Sequence, residues 1–241
     1  MRKFISARFH ESPHPFGERV RARGATLVFF LLLLCPVLAH AKSTPKYCLT
    51  ASASEFLKLA KERSDQSQKS LDLRGKSQLA LEGLFFAEKC LAKDANQVGC
   101  YYYRAVNRGL DVETKTIGIK KDLALMIADF EKVIVMNESY DEGGAHLALG
   151  QVFLKAPSLP VLGKDIRRDL VKAEMHSQKA LQIAPKNPEN LKLAGDIAFK
   201  KNEFAEAHGY FKNALKVAKS SKDGKLQNEL EKWVRKSKGK I

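Results

Sequence analysis

The sequence predicts an all-α protein whose helical hairpins stack into a short solenoid. After residue 41 helical periodicity dominates and the alternation typical of strands is absent. A pair formed by a small or β-branched residue and a large apolar one recurs at 43-, 47- and 34-residue spacings, which indicates repeated units. These pairs are Cys90-Leu91, Val133-Ile134, Ala180-Leu181 and Ala214-Leu215. The last segment, about 222–238, is apolar on one side and charged on the other, which predicts a capping helix.

The first 41 residues have the pattern of a secretory signal peptide. Residues 26–38 form an uncharged run of 13 residues, shorter than the roughly 20 that a membrane-spanning helix needs. Arginines precede this run, and Ala39-His40-Ala41 follows it with small residues where a signal peptidase cleaves. We therefore predict a signal peptide over 1–41 and a periplasmic or secreted helical domain over 42–241. An uncleaved membrane anchor is the alternative.

The remaining chain is basic and contains three cysteines. Residues 42–241 hold 36 Lys/Arg and 25 Asp/Glu, a formal charge of +11. Because the lysines are spread over amphipathic helices, a solvated surface is the simplest interpretation and no nucleic-acid partner is expected. Cys48, Cys90 and Cys100 fall at neighbouring helix ends, so we predict one disulfide among them in an oxidising compartment. A buried free thiol at Cys90 is the alternative.

The unit over residues 187–218 resembles a tetratricopeptide repeat (TPR). A TPR has a 34-residue period with small residues where its two antiparallel helices touch. In this unit Gly195 and Ala207 occupy those contact positions, and Phe211 fills the space toward the next unit. The same pattern assigns further structural positions to Gly150, Ala180, Pro185 and Ala214.

Two earlier units follow the same order with insertions at the tips of their helical hairpins. About ten extra residues surround "DVETKTIGIKK", and about eleven surround "KAPSLPVLGKD". The second insertion contains two prolines that hold it extended, so that its apolar side chains are presented with little entropy left to lose on docking. We therefore predict a partner-binding role for Leu159, Val161 and Leu162.

A more specific resemblance covers residues 140–185. An aspartate and two glycines precede a helix with a Leu-Gly pair, a "P-x-L-P" loop with a glycine follows, and the next helix ends in "KAL-x-x-AP". This combination is similar to the periplasmic T component associated with TRAP-type transporters. The resemblance implies a helical TPR-like protein that assists a periplasmic solute-binding protein.

The sequence shows no pattern for catalysis, for a cofactor or for a metal. It lacks the common nucleotide-binding, hydrolase and zinc motifs, and no cofactor or metal site is predicted. Of the histidines in the domain, His146, His176 and His208, none shows metal-ligand spacing, and we expect His176 on the outer side of its helix. Asp141 with Gly143 and Gly144 is expected to cap the following helix.

Three consecutive tyrosines, Tyr101 to Tyr103, point about 100° apart on a helix, so at least one should face a groove. Tyrosine and arginine are enriched in binding hot spots. We therefore predict partner contacts from Tyr101, Tyr102, Arg104 and Arg108; the alternative is that these side chains are structural.

Together these features predict an exported protein–protein interaction scaffold that is not an enzyme. Its partner is expected to be a protein, such as a periplasmic solute-binding protein, and self-association is also left open. No membrane span is expected to remain after signal cleavage. The alternative function is a periplasmic carrier of a small apolar or anionic solute, which would require an ordered cavity beneath the second insertion.

Overall fold

The computed structural model describes residues 51–156, 167–220 and 223–241, and within these ranges it contains nine α-helices and no strand. The helices are α1 (Ala53–Lys69), α2 (Leu73–Lys93), α3 (Val98–Val112), α4 (Ile119–Asn137), α5 (Tyr140–Lys155), α6 (Leu170–Ile183), α7 (Pro188–Lys200), α8 (Phe204–Ala218) and α9 (Gly224–Lys238). The predicted all-α architecture is therefore confirmed.

The helices pack as four consecutive hairpins followed by a single closing helix. The hairpins pair α1 with α2, α3 with α4, α5 with α6, and α7 with α8, and α9 packs on α8. Each hairpin also contacts the next one, so that the core continues along the stack. The capping helix predicted at about 222–238 is observed as α9.

Local sequence signals explain where several helices begin. Ser52 caps α1 and forms a reciprocal capping box with Glu55. Asn187 caps α7, where Pro188 occupies the first helical turn and needs no hydrogen-bond donor. Asp223 accepts a hydrogen bond from the backbone of Leu226 at the start of α9.

The recurring positions near the ends of the second helices are buried in the stack. Cys90, Val133, Ala180 and Ala214, in α2, α4, α6 and α8, are all fully buried. At Gly195 a methyl group would come within 2.6 Å of the Phe211 ring, so α7 and α8 can approach only because this residue lacks a side chain.

The last repeat and the capping helix share an aromatic cluster. The Phe211 ring stacks on Trp233 of α9 with centroids 5.3 Å apart, and Phe199 of α7 meets the indole edge-on at 5.2 Å. Leu226 and Leu230 of α9 are buried beside them. Trp233 thus covers the apolar end of the solenoid, which is the role expected of a cap.

The first helix of each hairpin lies on the inner side of the stack. The first helices of neighbouring hairpins contact each other: α1 contacts α3, α3 contacts α5, and α5 contacts α7. Within the described ranges, the second helices of neighbouring hairpins show no contacts of similar extent. Helices on the inside of a curved stack approach each other more closely than those outside. The inner surface is therefore built from α1, α3, α5, α7 and α9.

Some predicted boundaries differ from the structure. α1 continues to Lys69 through a polar segment in which Ser64 and Ser67 are buried and their hydroxyls bind backbone carbonyls. The first insertion is divided between lengthened helices and a loop over 113–118. The predicted signal peptide, Cys48 and the loop with Leu159, Val161 and Leu162 lie outside the described residues.

Candidate partner-binding surface

Tyr102 is a core residue, which corrects the prediction that it contacts a partner. Its side chain is fully buried, and its hydroxyl donates a 2.5 Å hydrogen bond to Oδ2 of Asp141. The rings of Tyr103, Phe130 and Tyr140 surround it edge-on at 5.1–5.9 Å between centroids. Burial, with the nearby Asp141 carboxylate, raises the pKa of Tyr102 well above its usual value.

The two predicted arginines bind the same carboxylate. Arg104 forms two hydrogen bonds with Asp129, at 2.6 and 2.9 Å, and Arg108 donates a third at 2.9 Å. Arg108 is buried, so its predicted contact with a partner is also wrong; α4 already supplies its partner. Arg104 keeps a quarter of its side chain exposed and lies 5.4 Å from the Tyr101 ring. Only Tyr101 and Arg104 of the four therefore reach the surface.

Three residues near the start of α5 form a left-handed turn that interrupts the helical backbone. Asp141, Glu142 and Gly143 all have positive φ, at 50°, 57° and 76°, and only Gly143 adopts this conformation without steric cost. Asp141 uses its carboxylate to bind Tyr102 rather than to cap α5, which corrects that expectation.

The next repeat contacts this turn. Asn187 donates a 2.5 Å hydrogen bond to Oε2 of Glu142. Asn190 is buried and donates to the carbonyls of Ala180 and, more weakly, Glu142. Two non-glycine residues are thus held in a costly conformation by hydrogen bonds from both sides.

His146 and His176 form a buried pair between α5 and α6, although the sequence predicted His176 on the outer side of its helix. Their Nδ1 atoms are 2.9 Å apart, and Nε2 of His146 is 3.0 Å from Oε1 of Glu138. A carboxylate only accepts, so the proton of a neutral His146 ring resides on Nε2 and its Nδ1 accepts from Nδ1–H of His176. The His176 ring also stacks on Phe153.

The environment keeps His176 neutral near pH 7. Burial, followed by the charges of His146 and Lys172, lowers the pKa of His176 to about 4. Within the described part of the chain, no group of three or more His, Cys, Asp or Glu residues is arranged to hold a metal ion. The pair is a buried polar contact between α5 and α6.

A row of charged side chains lies on the inner helices at the C-terminal end. Lys192 of α7 binds Oδ2 of Asp196 at 2.6 Å and Oε1 of Glu229, on α9, at 3.4 Å. The side chains of Lys192 and Asp196 are only 12–13% exposed, so water screens the pair weakly. Burial alone would lower the pKa of Lys192, but Asp196 and Glu229 outweigh it and the pKa is raised.

Two further charges lie in the electrostatic environment of this row. Burial, followed by the charge of Lys192, lowers the pKa of Lys155 at the end of α5. Burial also raises the pKa of Glu189, one turn before Lys192 on α7. Both shifts indicate a poorly solvated inner surface at this end.

Some buried side-chain oxygens lack a hydrogen-bond partner among the described residues. Two of them occupy equivalent positions on the inner helices. They are Oε1 of Gln151 and Oδ1 of Asp196. Gln151 directly follows Gly150 and Asp196 directly follows Gly195, so the two share one register position in neighbouring repeats. Because an unpaired buried acceptor is costly, such atoms suggest the place of an absent donor.

The sequence contains a signal for this surface that the predictions did not use. In both repeats a polar residue follows the glycine at the helix contact, and Lys192 and Asp196 are spaced i, i+4 on the same side of α7. The predicted binding residues came instead from the tyrosine run and the apolar loop. Aligning the repeats with one another would have identified this row of charged residues, because equivalent positions of stacked repeats face the same way.

Cys90 and Cys100 are disulfide partners in the structure. Their Cα atoms are 5.8 Å apart, within the range that a disulfide requires, and both residues are fully buried. The pair links the end of α2 to the start of α3, across the boundary between the first two hairpins. Cys48, the third candidate, lies outside the described residues.

The chain is similar to the crystal structure of a thermophilic TPR protein from Thermus thermophilus. The two chains are 17% identical with a TM-score of 0.51, and the match covers 76% of this chain and 99% of that one. This chain has a TPR-like fold. No protein-family model and no curated protein matches the sequence. The finer resemblance of residues 140–185 to the periplasmic T component therefore stays a prediction.

Among the described helices, none combines the length and the apolar character needed to cross a membrane.

Proposed function

We propose that this chain is an exported TPR-type scaffold that binds a protein partner on its inner surface, near the ends of α5, α7 and α9. The partner belongs to a periplasmic solute-binding or transport complex, and the chain has no chemistry of its own. The T-component-like pattern over 140–185 supports the choice of partner, and the signal-peptide pattern over 1–41 supports export.

The main observation behind the proposal is that Oε1 of Gln151 and Oδ1 of Asp196 are buried and have no hydrogen-bond partner among the described residues. Both belong to inner helices, and both are acceptors. Both atoms are closed to solvent in the free chain, so the backbone N–H groups and the Lys or Arg side chains of a docked polypeptide would donate to them once the two side chains turn outward. Lys192 and Glu229 beside them add charges of both signs, which favour one orientation of a docked chain over the others.

The fold agrees with this use of the surface. Stacked helical repeats create extended concave surfaces on which partners dock. The depression at the turn between α6 and α7, lined by Ala184, Pro185 and Lys186, is likewise open to solvent. The carrier hypothesis depends on a cavity beneath the loop over 157–162, which lies outside the described residues.

The substitution Gln151→Met separates binding from folding. Methionine has a similar volume and no acceptor, so the free energy of unfolding should stay constant or rise by about 1 kcal/mol as an unsatisfied buried oxygen is removed. Binding to the partner should fall about five- to tenfold, as one lost hydrogen bond implies.

The partner for this assay is obtained by cross-linking in envelope fractions, and affinity is then measured with the purified pair. Gln178→Met, at an exposed position on the outer side of α6, is the matched control and should change neither quantity. Equal partner affinity for the parent and the Gln151→Met protein would contradict the inner-surface site.

Export is tested separately. N-terminal sequencing of the protein recovered from the cell envelope should begin at Lys42. A protein that retains residues 26–38 would be anchored rather than released, and the soluble-scaffold part of the proposal would be wrong.

A further inference from the structure

Within the described residues, the excess positive charge of the helical domain lies in its C-terminal half. Residues 51–156 contain 15 Lys/Arg and 15 Asp/Glu, so α1 to α5 are balanced. Residues 167–241 contain 18 Lys/Arg and only 9 Asp/Glu. The basic composition, which from the sequence alone was attributed to a solvated surface, is thus a local property of the second half.

The solvent-exposed side of α9 carries four of these basic side chains. Leu226 and Leu230 bury one side of the helix in the stack. At 100° per residue, four exposed basic side chains fall on the opposite side, within about 100° of one another. They are Lys225, Lys232, Arg235 and Lys236.

α8 adds a second row. Lys212, Lys216 and Lys219 are exposed and spaced i, i+4, i+7, so they lie on a single side of the helix. Ala214 and Ala218, between them in sequence, are buried on another side. We refer to these three lysines and the four basic residues of α9 as the basic face.

None of the seven residues of the basic face forms an ion pair within the described ranges. Of the acidic residues on α9, Glu229 lies one turn from Lys225 and Lys232 but is bound to Lys192 of α7, and no described ion pair joins Glu231 to the face. Lys236 instead lies over two aromatic rings, 4.6 Å from the centroid of Trp233 and 5.0 Å from that of Phe199. The positive charge is therefore not neutralised by neighbouring carboxylates.

We propose that the basic face binds the surface of a bilayer rich in anionic lipid. Seven cations on two adjacent helices fall in the range at which basic clusters bind anionic headgroups, and each Lys or Arg near the surface strengthens binding roughly fivefold at low screening. The apolar sides of α8 and α9 are already used inside the stack, so the contact is electrostatic and no side of these helices inserts.

The composition of the face favours lipid over a protein or a nucleic acid. Six of its seven residues are lysines, which are depleted in protein interfaces, and the large exposed apolar residues of the described chain lie elsewhere, apart from Ile241 at the C-terminus. No exposed aromatic side chain described on the face offers a platform for base stacking. Mobile point charges suit a fluid layer of headgroups, which needs no fixed geometry.

The experiment compares vesicles of pure phosphatidylcholine with vesicles containing about 30% phosphatidylglycerol, using the full chain at about 0.1 M salt. The ratio of the two partition coefficients isolates the electrostatic part, because any binding by the apolar run over 26–38 occurs on both kinds of vesicle. The parent should bind the anionic vesicles at least tenfold more strongly, and about 0.5 M salt should abolish the difference.

The test variant is Lys216→Glu with Lys225→Glu and Lys232→Glu. It should lose at least tenfold of the anionic preference while its melting temperature stays within a few degrees. The matched control is Lys120→Glu with Lys121→Glu and Lys132→Glu, which changes net charge equally on exposed positions of α4 and should keep most of the preference.

Three outcomes would overturn the proposal. The first is a parent protein with no preference for anionic vesicles. The second is an equal loss of preference in both triple variants, which would show that net charge alone acts. The third is tighter binding of a short single-stranded DNA than of the vesicles, which would make the face a general polyanion site.

Discussion

The hydroxyl of Tyr102 and the carboxylate of Asp141 are joined by a 2.5 Å hydrogen bond across 39 positions of the chain. Tyr102 lies in the first helix of one hairpin, and Asp141 lies in the left-handed turn that opens the next. The bond therefore holds the backbone of Asp141 in a conformation that a non-glycine residue rarely adopts. It fixes the angle at which one repeat follows another.

Removing this bond should destabilise the protein without unfolding it. We expect Tyr102→Phe to reduce the free energy of unfolding by about 1–2 kcal/mol at pH 7, because the backbone strain of the turn loses its partner while Asp141 remains accessible to water. Urea denaturation followed by circular dichroism measures the change. Tyr101→Phe, on the half-exposed neighbour, is the control and should be nearly neutral; an equal loss in both variants would argue against a special role for the bond.

The same tyrosine predicts a loss of stability at high pH. Its pKa is raised on folding, so the neutral form is favoured in the native state and the unfolded chain releases its proton first. Stability should be constant below the ordinary tyrosine pKa of about 10 and should fall as the pH rises beyond it. In Tyr102→Phe this alkaline slope should become shallower. An unchanged slope would assign the alkaline loss to other groups.

Gly144 should tolerate no side chain because a methyl group there would overlap the Tyr102 hydroxyl. We expect Gly144→Ala to cost about 2–3 kcal/mol, as overpacking in a core typically does. Gly209→Ala in α8 is the matched control, because nothing lies within 4 Å of its added methyl group and the variant should gain about 0.5–1 kcal/mol of helix propensity. When Tyr102→Phe is also present, Gly144→Ala should reduce the free energy of unfolding by less. If the effects of the two substitutions on this free energy simply added, the proposed clash with the Tyr102 hydroxyl would be wrong.

His176 should make the fold sensitive to mild acid. Its folded pKa of about 4 lies below the usual value, so the unfolded chain binds the proton first and stability is lost as the pH falls from about 6.5 toward 4. His176→Asn keeps a side-chain donor near Nδ1 of His146 but does not titrate. Its free energy of unfolding should therefore fall less between pH 7 and pH 4.5 than that of the parent. If the free energy of unfolding fell equally with pH in the two proteins, His176 would not be the cause of the acid sensitivity.

The cysteine pair should be oxidised in protein taken from the cell envelope. Proteolysis without reduction should release a linked peptide containing Cys90 and Cys100, since a cleavage site at Lys93 lies between them. Replacing both cysteines by alanine should cost about 2–3 kcal/mol, the value expected for closing a short loop. Recovery of Cys48 linked to either residue would show a different pairing.

The repeat pattern predicted the fold well because it depends on spacing within a hairpin. Gly195 and Phe211 lie in adjacent helices of one unit. The repeat pattern places a small residue at the first position and a large one at the second, so their contact can be predicted from the sequence alone. The capping role of Trp233 followed from the one-sided apolar pattern of its helix. These contacts are local, so their geometry follows from helical periodicity.

The site was harder to predict because its contacts cross between helices and repeats. Tyr102 and Tyr103 are both buried, and the hydroxyl of Tyr102 binds Asp141 in the first turn of the next hairpin. His146 and His176 meet only through the packing of α5 on α6. Arg108 pairs with Asp129 of α4, although both are ordinary surface residue types. A helical period gives the direction of a side chain but does not identify the residue that it will contact.

The contacts of the stack join helices of the same hairpin or of adjacent hairpins, and this has a consequence for the rate of folding. The bond from Tyr102 to Asp141 and the one from Asn190 to the carbonyl of Ala180 each connect adjacent hairpins only. Chains with such short loops to close fold quickly, and any hairpin can serve as the nucleus from which order spreads. A polypeptide that threads through a narrow secretion channel in an extended state gains from this arrangement, because each hairpin can form as soon as it emerges.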